Sequence, residues 1–246
     1  MKDFQPIKMC SQSAKSDKSY IAAQRGNVLF LILITVVLFA ALSYAVTQSS
    51  QTGVGSNDTG AGEVNAAQLN QFPNFVRAQT MRMMMRRIEV TDLEFNPPSE
   101  FGALTSTDVG VFHPSFGTNY VNAPASVMAS GGQGQWAFNM NFEIESIGTS
   151  QAGNFGGNDL IAFLPGVTAS ACLRVNELLT ISAIPTINDA SYLSEAEENM
   201  DNTYATPVSE TVIGTGTLAA LEAEPFGCFQ ETVSGEYIYY FSIFER

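Results

Sequence analysis

The sequence predicts an α+β fold in which an N-terminal transmembrane helix precedes a second helix packed on an antiparallel β-sheet, with one disulfide. Three observations predict it. Residues 28–46 carry no charge, residues 136–145 alternate between apolar and polar side chains, and two cysteines lie far beyond the apolar run. Hydrophobic residues make up 45% of the 246 residues, which suffices for a core and excludes general disorder.

Charge is divided unevenly along the chain, whose net charge is −13 at pH 7. Residues 1–26 contain five basic and two acidic residues, and residues 27–46 contain neither kind. The rest of the chain holds six of the 11 basic residues and 22 of the 24 acidic ones. Such an acidic body lacks the basic face that phosphate binding requires, so nucleic acid is excluded as a partner. One His and three Cys argue against a zinc site.

The uncharged run over residues 28–46 predicts a membrane span. At about 1.5 Å per residue the run is roughly 28 Å long, which matches the hydrocarbon thickness of a bilayer. The positive-inside rule places residues 1–26 in the cytoplasm and the acidic remainder outside. A cleaved secretory signal is the competing interpretation, with weak cleavage sites at Ala40-Ala41-Leu42 and Ser43-Tyr44-Ala45. Its apolar region would be shorter, at about 7–15 residues.

The junction before the span carries a family resemblance. A basic segment ending in Ala23-Gln24-Arg25-Gly26 runs directly into Asn27-Val28-Leu29-Phe30-Leu31. This junction resembles the class III leader of type IV pilins and pseudopilins. The resemblance implies that a prepilin peptidase cleaves after Gly26, so that Asn27 becomes the new, methylated N-terminus. It also implies a single-pass protein of the bacterial inner membrane with a periplasmic C-terminal domain, which becomes part of an extracellular filament after assembly.

The same resemblance implies the partners of the apolar helix. In a homo- or hetero-oligomeric filament the helix would pack against the helices of other pilin-like subunits. The residues expected in this packing, or in contact with the membrane before assembly, are Leu29, Phe30, Leu31, Leu33, Val37 and Leu38. No catalytic residue, cofactor or metal is expected.

Two departures from the family pattern bear on the role of the chain. Filament-forming pilins usually carry Glu at the fifth mature position, where this sequence has Leu31. An unpaired Glu in lipid is costly, so its absence eases insertion but removes a contact that sets the register between subunits. The first mature residue is commonly Phe or Met, and here it is Asn27. Both departures favour a minor or divergent subunit over a major pilin.

Beyond the span, residues 47–62 are rich in Gly, Ser and Thr and predict a flexible segment, after which residues 63–246 form the extracytoplasmic domain. Residues 63–90 predict a helix that Pro73 kinks or restarts. Its apolar stripe comprises Leu69, Phe72, Val76, Met83 and Ile88. Its basic residues Arg77, Arg82, Arg86 and Arg87 form either a solvated face or a contact with acidic neighbours in an assembly. Its Met81, Met83, Met84 and Met85 favour adaptable packing over a copper site.

The remaining segments predict loops, strands and one short helix. Residues 97–135 predict loop and short strand, and residues 136–145 predict a strand with one face on a core and the other in water. Thr168 predicts the N-cap of a helix over residues 169–179 with Cys172, Val175, Leu178 and Leu179 inward. The acidic residues 188–210 predict a solvated loop, because they lack the spacing of a calcium loop.

The C-terminal residues predict a hairpin. Residues 228–233 and 236–244 flank a turn at Ser234-Gly235. The second arm is apolar and aromatic on both faces, so we expect it to be covered on both sides or to lie mid-sheet.

The cysteines are separated by compartment. Cys10 lies in the leader and would be lost on cleavage, whereas Cys172 and Cys228 lie in the extracytoplasmic part. Two cysteines in an oxidising compartment predict a disulfide, which would join the 169–179 helix to the terminal hairpin. The rival interpretation is a nucleophilic thiol, for which His113 is the only available histidine partner.

These observations predict a structural role. Two alternatives stay open: an uncleaved single-pass protein that acts as a periplasmic binding or envelope-assembly module, and an extracytoplasmic hydrolase. A hydrolase with paired carboxylates would draw on 22 acidic residues, none of which the sequence singles out. Residues 153–157 are Gly-rich but lack the spacing of a phosphate-binding loop.

Overall fold

A computed structural model describes residues 28–51, 57–116, 119–149, 157–201 and 211–246. In the first two helices, side chains are described at residues 30, 32–41 and 43 and from residue 66 onward. The chain divides into two units, Met1–Val54 and Gly55–Arg246. The predicted leader, including Cys10, lies outside the described residues.

The first unit contains helix α1, Val28–Gln51. It includes the predicted span and continues into the segment expected to be flexible. Helix α2, Asn57–Met85, begins the second unit within that same segment. Residues 52–56 lie outside the described residues.

Helix α2 places one apolar stripe in the core of the second unit. The buried members are Ala66, Leu69, Phe72, Val76 and Met83, which confirms the predicted stripe except that Ile88 follows the end of the helix. Pro73 is buried and lies inside the helix, which continues past it, so the predicted restart of the helix at Pro73 is wrong. The helix closes where the Ile88 N–H donates to the Met83 carbonyl over 3.4 Å, with Arg87 in the left-handed region at φ 71°.

The second unit is built on a mixed six-stranded sheet of order β3-β5-β6-β2-β1-β4. The strands are β1 Ala137–Ile144, β2 Asp159–Val167, β3 Thr186–Ile187, β4 Thr211–Ile213, β5 Phe226–Glu231 and β6 Tyr237–Phe244. The four central strands pair antiparallel, as expected, whereas β3 pairs parallel with β5 and β4 pairs parallel with β1. The expectation of a wholly antiparallel sheet is therefore wrong at both edges. The edge strands are joined to their partners by long connections, which parallel pairing requires.

Strand β1 confirms the predicted strand but not its predicted wet face, because all eight residues are buried. Its register shifts between Asn139 and Phe142. Such a bulge reverses which face the following side chains reach. Phe138 and Met140 accordingly enter one core, and Phe142 and Ile144 enter a second one.

Two cores lie on opposite faces of the sheet. The first lies under α2 and under α3, Ala169–Leu178, and contains alternate residues of β2 and β6 such as Leu160, Ala162 and Tyr239. The second contains the intervening residues, such as Ile161 and Tyr240, under α4 (Ser191–Ala196) and the turn Gly216–Leu221. The segment expected to be an acidic loop thus contributes a helix that covers the sheet. Residues 202–210 lie outside the described residues.

The capped helix and the hairpin are confirmed. The Thr168 hydroxyl accepts a hydrogen bond from the Ala171 N–H over 3.2 Å at the start of α3. Cys172 and Val175 point inward, but Leu178 is 54% exposed, so its predicted burial is wrong. Strands β5 and β6 form the terminal hairpin, and β6 lies mid-sheet with six of its eight residues buried.

Candidate functional site

The predicted cleavage site, Gly26 and Asn27, lies outside the described residues, as do the side chains of Leu29 and Leu31. The other predicted packing residues are described and are each more than half exposed: Phe30, Leu33, Val37 and Leu38. Exposed apolar surface of this extent marks an interaction with lipid or protein. Taken over the residues that the structure describes, none of the helices meets the combined length and hydropathy that a membrane span requires.

The predicted disulfide is confirmed. Cys172 of α3 and Cys228 of β5 are bonded, with their Cα atoms 5.2 Å apart, and both side chains are fully buried. The bond joins α3 to the terminal hairpin as expected. The rival interpretation of a nucleophilic thiol is therefore wrong for these two residues. His113 instead packs against the ring of Phe101, and its Nδ1 accepts a hydrogen bond from the Ser115 N–H over 3.3 Å.

A buried amide supports the disulfide and was not anticipated. Asn176 lies one turn after Cys172 on α3 and is fully buried. Its Nδ2 donates to the Cys228 carbonyl over 2.8 Å, and its Oδ1 accepts from the Cys228 N–H over 2.9 Å. The sequence could not have predicted this contact, because nothing about a single Asn in a helix indicates a partner 52 residues away.

A groove with both polar and apolar lining residues and a volume of about 840 Å³ opens beside β1 and the β5–β6 turn. It is lined by residues 129–137, 165–167 and 234–237, together with Pro97, Ser99, Glu100, Tyr120, Glu197 and Asn199. We call it the acidic groove, because Glu100, Glu197 and Glu236 line it and none of its described lining residues is Lys, Arg or His. The groove combines six separate segments, so the sequence gives no local signal of it.

Hydrogen bonds hold the walls of the acidic groove. Asn139 of β1 donates to the carbonyls of Glu195 and Glu198, each over 2.9 Å, and so fixes the segment that carries Glu197. Asn199 accepts from the Phe138 N–H over 3.0 Å. The Asn139 contacts use the polar face of β1, which the sequence predicted to be solvated.

The electrostatics of the acidic groove are uncompensated. Partial burial, and then the negative charge of Glu236, raise the pKa of Glu197. Trp136 is buried in the groove wall, and its Nε1 has no hydrogen-bond partner among the described residues. Within those residues, no three His, Cys, Asp or Glu side chains are close enough to hold a metal.

The four basic residues in and just after α2 differ in their contacts. Arg77 forms an ion pair with Glu245 over 3.4 Å, which ties α2 to the end of β6. The Arg86 guanidinium lies 5.2 Å from the centre of the Phe116 ring. Arg82 and Arg87 are exposed.

A buried carboxyl with a raised pKa lies outside the acidic groove. Asp159 at the start of β2 is fully buried and accepts hydrogen bonds from the Ile144 N–H over 3.0 Å and the Arg246 N–H over 3.1 Å. Burial raises its pKa from 3.8 to about 6, and the charges of Glu143 and Glu245 also raise it. The two hydrogen bonds lower the pKa and offset part of this effect.

We expect Asp159 to make stability fall as the pH rises from about 4 to about 6. The folded state holds the proton more tightly than the unfolded chain, so it gains stability as the pH falls through this window. The gain is at most about 3 kcal/mol, at 1.36 kcal/mol per pKa unit. Urea unfolding at several pH values should show a weaker slope in Asp159→Asn than in the wild type. Asp108→Asn, at an exposed position, is the control, and an unchanged slope in Asp159→Asn would contradict the assignment.

Comparisons of the chain with protein-family models, with curated proteins and with solved structures find no match.

Proposed function

We propose that this chain is a structural subunit, minor or divergent, of a type IV pilus-like or type II secretion-like filament. Before assembly it is anchored in the bacterial inner membrane by residues 27–46, with its acidic domain in the periplasm. After cleavage behind Gly26, the apolar helix packs among the helices of other pilin-like subunits.

The observation that carries the proposal is the order of three sequence features. A basic segment ends in Gly26, an uncharged run of 19 residues follows at 28–46, and an acidic domain comes next. The uncharged run includes Leu31, Leu42 and residues 44–46, whose side chains are outside the described set.

The exposure of α1 supports the same proposal. Its described apolar side chains face solvent on all sides: Phe30, Ile32, Leu33, Ile34, Val36, Val37, Leu38 and Phe39. A helix that is apolar all round needs lipid or other helices as its surroundings. Removal of the cationic leader allows such a helix to leave lipid for a bundle of like helices.

The disulfide-linked domain supports an extracytoplasmic location, because disulfides persist in oxidising compartments. The disulfide does not distinguish a filament subunit from an anchored protein that keeps its leader, because both would contain it. Cleavage distinguishes the two.

We expect Gly26→Val to block maturation completely, because a peptidase that cleaves after a small residue has no room for a branched side chain. The full chain would be expressed in cells that carry a prepilin peptidase, and its N-terminus determined by mass spectrometry. The wild type should begin at Asn27, and Gly26→Val should retain the leader.

A matched substitution within the leader, Ala14→Val, should leave cleavage intact. A wild-type protein that retains residues 1–26 would contradict the proposal and support an anchored periplasmic module. Filaments sheared from cells should contain the wild-type chain and lack the Gly26→Val variant.

A further inference from the structure

The outward side of α2 carries an apolar stripe that the core does not use. Phe75, Ala78, Met81, Arg82 and Met85 are exposed, and Met85 is 77% exposed. Their spacing of three or four residues places them on one side of the helix. We call this set the α2 outer face. Apolar patches rimmed by polar residues mark docking surfaces.

Positive charge is concentrated at the same end of α2. Only six basic residues follow residue 46, and Arg82, Arg86 and Arg87 are three of them. Arg77 and Arg174 are paired with Glu245 and Glu177. The α2 outer face therefore fits an acidic surface with apolar character.

This chain itself supplies such a surface in the acidic groove. The groove presents three carboxylates with no cation among its described lining residues. The charge of Glu236 opposes ionisation of Glu197, so an arriving guanidinium would relieve an existing repulsion. No residue belongs to both surfaces, so two copies meet through different patches. Contacts of this kind repeat head to tail and build open assemblies.

We propose that the α2 outer face of one copy docks into the acidic groove of a second copy. Arg82 of that face, and Arg87 just after the helix, then lie opposite Glu197 and Glu236. The contact rests on the proposed function and specifies how the globular parts of neighbouring subunits recognise each other. The apolar side chains of Phe75, Met81 and Met85 lose their exposed area to the partner, and the charges set the orientation.

Charge reversal tests the contact in the full chain, purified in detergent with two different tags. The face variant carries Arg82→Glu and Arg87→Glu, and the groove variant carries Glu197→Lys and Glu236→Lys. Each variant alone should co-purify with its own tagged copy on the order of tenfold less than the wild type, because like charges then face each other. Raising the salt concentration should weaken wild-type co-purification.

Mixing provides the decisive comparison. The acidic helix of the face variant fits the basic groove of the groove variant, and the unchanged surfaces of the two variants also fit each other. A mixture of the two variants should therefore recover wild-type co-purification. Arg174→Glu and Asp108→Lys, which reverse charges outside both surfaces, should leave association unchanged.

Each other outcome overturns the contact. If neither reversal weakens association, or if the mixture stays as weak as the separate variants, the two surfaces do not meet. If Met85→Cys cross-links to a cysteine placed at Val37 of the same chain, α1 covers the face instead. The reversed residues are exposed except for Glu236 and Arg174, which are half-buried, and unchanged circular dichroism would establish that the variants fold.

The result is separable from the test of the proposed function. If the chain begins at Asn27 and forms filaments, but charge reversal leaves co-purification unchanged, this contact alone is wrong. If the chain keeps its leader, but mixing the two variants recovers co-purification, the proposed filament function is wrong and the contact between copies stands.

Discussion

Replacing Cys172 and Cys228 together with alanine is expected to lower the free energy of unfolding by about 4 kcal/mol. The bond closes a loop with a sequence separation of 56, and the chain-entropy model assigns roughly this value to a loop of that length. Urea unfolding of the full chain in detergent, followed by far-UV circular dichroism, measures the loss.

The single variants supply the control for this prediction. Cys172→Ala and Cys228→Ala each break the same bond, so either alone should lose nearly as much stability as the pair. Wild-type protein should migrate differently on reducing and non-reducing gels, and both single variants should lose that difference. Titratable thiols at Cys172 and Cys228 in the native wild type, in addition to that of Cys10, would contradict the disulfide.

Replacing Asn176 with leucine is expected to cost about 3 kcal/mol of stability. Leucine has a similar volume but has neither a donor nor an acceptor. The N–H and the carbonyl of Cys228, both inside the first core, then lose their partners at 2.9 and 2.8 Å. Each buried backbone group without a partner costs about 1–3 kcal/mol. Unfolding in urea gives the difference.

The matched control for Asn176 is an asparagine at the surface. Asn74→Leu on α2 removes a side-chain hydrogen bond at an exposed position and should change stability by at most about 0.5 kcal/mol. Asn176→Asp keeps the acceptor for the Cys228 N–H, but it loses the donor and buries a charge, so it should also destabilise. Wild-type stability in Asn176→Leu would show that the amide contacts contribute little.

Periodicity predicted the elements that depend on neighbours in the chain. The alternation over residues 136–145 predicted β1, and the aromatic run over residues 236–244 predicted a strand covered on both faces, as β6 is. The Thr168 cap and the Cys172–Cys228 bond are confirmed as well. These features follow from local side-chain patterns or from the presence of only two cysteines beyond the leader.

The same periodicity was wrong where a distant contact decided the outcome. The bulge between Asn139 and Phe142 sends residues of one apparent face into two cores, and α4 covers the polar face that was expected to meet water. Leu178, the last residue of α3, is 54% exposed although the apolar pattern predicted its burial. No window of the sequence contains both partners of these contacts.

The amino-acid order alone therefore established an uncharged run behind a basic leader, an acidic α+β domain and one disulfide, because charge, hydropathy and cysteine count are properties of the chain itself. Folding in three dimensions decided the parallel edge strands, the clamp of Asn176 on Cys228, the burial of Asp159 and the acidic groove. Each of these joins residues that are far apart in sequence, and their energies arise only when the packed sheet brings them together.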